Sequence, residues 1–219
     1  MEEFAGRSAP HQAVPPAPPR WKGVRSLDLV YRLNERCVDL LYELAITGAR
    51  DTSLSVITSH MEFWLRLEPA ARQSMARMPF VIMDAHFQDE MWWRRMIDYR
   101  LDDAETNAAS NGLPREVSEH LMHETVMLAW QTARWDHTVA QMSLAMSPSV
   151  VAIVSALTPQ QVRVISAREC HAIQVRWVND LQFWRDLLAA AALRDDDRLR
   201  QLHLHAKLLL CSELTDMQK

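Results

Sequence analysis

Two histidines three residues apart are the first place to look for chemistry. In "EHLMHE", His120 and His123 fall on one face of a helix, with Glu119 and Glu124 beside them. Imidazole and carboxylate at that spacing are zinc-type donors. No matching donor cluster accompanies them, and neither CxxC nor HExxH occurs. A chain of 219 residues with nine histidines produces such a pair by chance. His203 and His205 are two apart, which on a helix sets them about 200° from each other and prevents a shared ion. No metal and no other cofactor is expected.

Covalent and phosphate chemistry find no better footing. There is no phosphate-binding glycine loop and no GxSxG. "MDAHFQDE" sets acids around His86, an arrangement common in helical proteins. Cys37, Cys170 and Cys211 are odd in number and far apart, as expected of reduced thiols in the cytosol. The chain is therefore read as a non-enzyme.

The residue types that remain suit recognition. Residues 147–155 and 158–168 read as two short helices joined by a tight turn, opened by Ser147–Pro148 and Thr158–Pro159. Gln161 stands three after Thr158, which predicts a capping box. The second helix carries Gln160, Arg163 and Arg168, and Arg176 follows. Glutamine reads base edges and arginine grips phosphate, so these four are the candidate DNA contacts of a helix-turn-helix. A net charge of −4 provides no broad basic field. DNA contact is therefore expected only within a complex. The plainer alternative is a helical hairpin whose polar face meets water.

A set of helices must position these groups. Hydrophobic residues make up 48% of the chain and there are only four glycines, which predicts an all-α fold. No alternation of β-branched residues is long enough for a sheet. No apolar run of 18 residues and no leader-type segment occurs, so a cytoplasmic protein without a membrane span is expected. Residues 1–24 form a proline-rich arm, with Pro10, Pro15, Pro16, Pro18 and Pro19. Ser26 is the expected cap of the first helix and Gly48 its stop. A second helix is predicted over 52–66, a third from Pro69, and another through "DEMWWRRMIDYR". "PFVIMDAHF" is extended or a tight turn. Residues 101–113 form a polar linker.

Beyond the linker the series repeats, giving helical units over 25–110 and 111–219. Leu67–Glu68–Pro69 matches Leu157–Thr158–Pro159, Met75 matches Ile165, Met83 matches Ile173 and Phe87 matches Trp177. With one inserted residue, "WWRRMI" matches "FWRDLL". In the first helices Glu35 stands against Glu124 and Leu41 against Trp130. This predicts a tandem duplication of a unit of about ninety residues, with Trp93 and Trp184 as equivalent buried anchors.

Residues 121–214 resemble FlhD, the helical subunit of the bacterial flagellar master regulator. The resemblance rests on "MLAWQTARWDHTVAQMSLAMSPSVVAIVSALTPQQVRVISA" and "RLRQLHLHAKLLL". In order, it runs through an LA-rich helix, Asp136, an Ala–Met helix, and an alanine-rich helix ending in Leu157–Thr158. Gln161, the Val175–Arg176–Trp177 segment, and L-x-Q-[IL]-H from Leu199 to His203 follow. Ala145 stands where the family has glycine, and Ile173 where it has a cysteine, which removes an intersubunit disulfide there. The resemblance implies an all-helical, oligomeric co-activator without metal or catalysis. Its partner would be a zinc-containing FlhC-like subunit, and the complex would recruit RNA polymerase. It also implies partner docking, or the fixing of helix ends, for Asp136, Gln201 and His203. Together with the repeat it predicts an intramolecular pseudo-dimer. The rival is a helical adaptor or chaperone-like protein that does not bind DNA.

Overall fold

The computed structural model describes residues 22–47, 54–98 and 111–216, with side chains placed for 27–47, 54–97 and 111–213. Its described elements are helical apart from one pair of two-residue strands. Helix α1 (Lys22–Thr47) buries Val30, Leu33, Cys37, Val38, Leu41 and Leu44, the stripe expected of one helical face. It already includes Lys22, so it takes in the last residues assigned to the arm and starts ahead of Ser26. Once a helix is nucleated, each added residue gains a hydrogen bond, and only Gly23 resists extension there. Gly48 lies outside the described residues.

The helix expected over 52–66 is instead two single turns, α2 (Ser55–Thr58) and α3 (Met61–Trp64). The β-branched run Val56–Ile57–Thr58 is a poor helix interior. His60 then leaves helical geometry with φ −131° and ψ 24°. Its Nε2 lies 2.9 Å from the Leu181 carbonyl oxygen, across the fold. Helix α4 (Pro69–Ala76) has proline in its first turn, as expected.

"PFVIMDAHF" leads into strand β1 (Met83–Asp84), which pairs antiparallel with β2 (Gln174–Val175). The stretch is extended, one of the two conformations expected for it, and the expectation of no sheet is corrected by this one short pair. The register joins Met83 to Val175 and Asp84 to Gln174. Helix α5 (Glu90–Asp98) follows β1. Residues 101–110 lie outside the described residues. The rest of the expected linker, 111–113, is packed: Leu113 is buried, and the Asn111 amide donates to the Ile173 carbonyl at 2.9 Å.

Helix α6 (Arg115–Trp135) is the central element, carrying α7 (His137–Leu144), α8 (Pro148–Ala156) and α9 (Pro159–Arg168). A 3-10 turn at Cys170–Ala172 leads into β2. Helices α10 (Leu181–Ala192) and α11 (Asp196–Asp216) close the chain. Between them Arg194 takes φ 56°. Asp195 N–H bonds Ala190 O and Arg194 N–H bonds Ala191 O, the paired bonds of a Schellman ending.

The packing crosses between the halves. Helix α5, from the first half, lies on α8 of the second. Helix α10, from the second, lies on α2, α3 and α4 of the first, while α1 packs on both α4 and α6. Trp93 and Trp184 are both fully buried, as the sequence predicts. His86 and Trp177 share a left-handed backbone, with φ 53° and 51°. The residue whose backbone matches that of Trp177 is thus His86, ninety-one positions before it, and not Phe87.

Candidate functional site

The hairpin of α8 and α9 is built as the sequence predicts. Ser147 Oγ accepts from Val150 N–H at 3.3 Å. Thr158 Oγ1 accepts from Gln161 N–H at 3.2 Å, and Gln161 Oε1 accepts from Thr158 N–H at 2.9 Å, which completes the capping box. Val150, Val151 and Val154 of α8, and Val162, Ile165 and Ser166 of α9, are buried. The turn is held from below, because Trp130 Nε1–H on α6 donates to the Leu157 carbonyl at 2.8 Å. A hairpin fixed at both caps and at its turn presents its outer residues on a rigid base.

The four DNA candidates are not equivalent in this setting. Gln160 and Arg163 are exposed on the outer face of α9, three residues apart. Arg168 is half-buried, and five residues from Arg163 it points about 140° away. Arg163 and Arg168 therefore do not form one grip. Arg176 corrects the sequence expectation outright, because its side chain is only 4% exposed. Its Nε donates to Val81 O at 3.1 Å, and its Nη1 to Glu213 Oε2 at 3.1 Å. Its Nη2 donates to Asp84 Oδ1 at 3.1 Å and to Leu144 O at 2.7 Å. No phosphate can reach a guanidinium so enclosed. Arg176 is a structural hub that ties the β1 segment, the end of α7 and α11 together.

The partner candidates also separate. Asp136 accepts from Thr138 N–H at 2.9 Å and Val139 N–H at 3.1 Å, capping α7. It therefore fixes a helix end. Gln201 is exposed, with its Oε1 3.4 Å from Arg198 Nη1. His203 is half-buried and faces α4 near the Met75 backbone. Burial, the larger cause, disfavours its charged ring and lowers its pKa, while the Met75 backbone contact opposes this. Gln201 and His203 sit about 200° apart on α11, so they cannot share one docking face.

Several residues that organise the site carried no motif. Buried Asn34 donates its amide to the carbonyls of Ala76, Met78 and Phe80 at 3.2, 3.3 and 2.8 Å. Its Oδ1 accepts from Ile82 N–H at 3.1 Å. One side chain thus satisfies the irregular stretch before β1. The sequence signal was a polar residue within the apolar stripe of α1. Glu213 accepts from both Arg176 Nη1 and Trp177 Nε1–H, the latter at 2.8 Å, and so clips the end of α11 to the strand pair. Beside it an open cleft of about 370 Å³ is lined by Asp84, His86, Asp89, Trp177 and Glu213.

His120 and His123 stand at the α1–α6 crossing, where His120 Nε2 lies 3.4 Å from Glu124 and Arg36 lies 3.1 Å from it. Among the described residues no three His, Cys, Asp or Glu side chains are grouped to hold a metal ion. Burial pushes the Cys37 and Cys170 thiols up, away from the reactive thiolate. Among the described residues no single helix is long and apolar enough to cross a membrane; α7 and α8 pass that test only as a pair bent by 115°. No family model, curated protein or solved structure matches the chain.

Proposed function

We propose that the chain is an FlhD-like transcription regulator subunit, folded as an intramolecular pseudo-dimer and acting at promoters through a partner subunit. The observation that carries this is the reciprocal strand pairing, Met83 with Val175 and Asp84 with Gln174. Equivalent segments of two subunits would meet this way across a two-fold axis. The crossed packing of α5 on α8 and of α10 on α2–α4 supports the same layout. Asp89 and Asp180 each accept from the N–H three residues on, at 2.8 and 3.0 Å, and each precedes a buried tryptophan. Such shared detail at an offset of ninety-one positions supports a duplicated unit.

The family assignment draws support from Ala145. It takes φ 55° and ψ 39° at the end of α7, a left-handed place where glycine is the natural residue and where the FlhD pattern has one. The capping role of Asp136 and the Thr158–Gln161 box fit the same pattern.

In this reading Gln160 and Arg163 meet DNA when an FlhC-like zinc subunit supplies the remaining basic surface. Co-expression of the tagged chain with the FlhC-like subunit of the same genome tests it. A complex that co-purifies is expected, and its absence under conditions where both are folded counts against the assignment. A second reading, an adaptor without DNA contact, is favoured by one observation. With Arg176 enclosed and Arg168 half-buried on another face of α9, Arg163 is the one exposed arginine left among the candidate contacts.

A further inference from the structure

Arg134 stands in the last turn of α6, its guanidinium 5.0 Å from the centroid of the Trp130 ring. The same indole donates its N–H to the Leu157 carbonyl at the turn between α8 and α9. One tryptophan therefore holds both the turn and an arginine beside it. A guanidinium already stacked on an aromatic face gives up less freedom when it grips an anion. Arg134 is exposed, and neither it nor Arg163 has an ion-pair partner among the described residues. Arg36, Arg72, Arg94, Arg194, Arg198 and Arg200, by contrast, each pair with a carboxylate. Little negative charge lies nearby along the chain to take up the two that are left. Residues 137–162 contain no Asp, Glu, Lys or Arg, in a chain whose charged content is 24%. The adjacent acid, Asp136, is committed to two N–H donors at the start of α7. Helix α9 has no acid in its first turn, so the positive end of its dipole is uncompensated beside the turn.

We propose that Arg134 is a second phosphate contact of the α8–α9 hairpin, gripping the DNA backbone at the turn while Arg163 grips it further along α9. The inference rests on the reading of α9 as the DNA-facing helix and adds to it a residue from outside the hairpin. Gln160 lies between the turn and Arg163 in sequence, so a backbone contact on either side holds its amide over the base edges. Trp130 acts as the positioning residue, setting Arg134 against the turn that it also fixes.

Indole N–H spectra of the full chain with labelled tryptophan test the proposal, with the Trp130 signal assigned through Trp130→Phe. The probe is a short mixed-sequence DNA duplex at low salt, where binding is non-specific. The Trp130 signal is expected to move on titration and to return as salt is raised. In Arg134→Gln most of that movement should be lost, and the salt slope of binding should fall by about one unit. Arg134→Lys keeps the charge and should keep most of the slope. Unchanged signals from the buried Trp93 and Trp184 in both variants report an intact fold. A Trp130 signal that the duplex does not move overturns the proposal, as does an Arg134→Gln slope equal to the parent's. Polyglutamate that moves Trp130 as far as the duplex does assigns Arg134 to an acidic protein surface, which also overturns it. Arg163→Ala reports on α9 separately. An unchanged slope there, beside a reduced one in Arg134→Gln, counts against the reading of α9 and supports the Arg134 contact.

Discussion

The indoles of Trp93 and Trp184 are held alike: each is fully buried, and each donates its N–H to a backbone carbonyl at the preceding turn. Trp93 bonds His86 O at 3.0 Å and Trp184 bonds Arg176 O at 3.2 Å. An aromatic ring turns its edge to each, Trp92 at a centroid distance of 5.0 Å and Phe183 at 6.1 Å. Trp93→Phe and Trp184→Phe each delete one buried hydrogen bond, at a cost of about 1 kcal/mol; His86 O keeps the Asp89 N–H as a donor at 2.9 Å. Urea unfolding should show similar losses for the two. A neutral result at one site would mean that the two places are not energetically equivalent.

Arg176 separates structure from recognition. Arg176→Ala leaves Asp84 and Glu213, each about a third exposed, without their shared cation and removes the donor to the Val81 and Leu144 carbonyls, at a cost of about 1–3 kcal/mol. Arg163→Ala, on an exposed helix face, should stay within about 0.5 kcal/mol of the parent. Thermal melts of both variants check the contrast. An Arg176→Ala protein as stable as the parent would contradict the hub.

Ala145 is the residue to change for stability. An L-residue in the left-handed region costs about 1–2 kcal/mol, which glycine avoids. Its methyl group is fully buried, so Ala145→Gly also gives up some packing. A net gain of up to about 1 kcal/mol in denaturant unfolding is expected. A net loss would place the packing of the methyl above the backbone strain.

His203 predicts acid sensitivity. Its folded-state pKa lies below the ordinary value near 6.5, chiefly through burial. The unfolded chain therefore binds the proton more readily, and stability falls as pH drops through about 6.5 toward the folded value. His203→Gln should flatten the decline between pH 7 and 5 relative to the parent. Identical pH profiles would show that the imidazole is not shielded.

What the sequence made legible was local. Thr158 and Gln161 lie within one turn, and Ser147 caps a helix beginning at the next residue, so spacing alone predicts their bonds. The buried tryptophans were legible because the same pattern recurs. Arg176 was misread because its partners are remote. Val81 lies 95 residues away and Glu213 lies 37 away, and no periodicity reports that a guanidinium will be enclosed. Asn34 was hidden likewise, its amide serving a segment more than forty residues downstream. The strand pair escaped notice because two residues carry no alternation, and each strand needs the other half of the chain.

The most direct test of the regulator reading is salt-titrated DNA binding by the chain alone and with its FlhC-like subunit, for the parent and Arg163→Ala. The expected result is no specific binding alone and specific binding by the complex. In Arg163→Ala the salt slope should flatten by about one unit for the lost phosphate contact. A complex that forms but leaves DNA unbound, or binds with an unchanged slope in Arg163→Ala, would contradict the claim that α9 reads DNA. The first of these outcomes would leave the adaptor as the function of this fold.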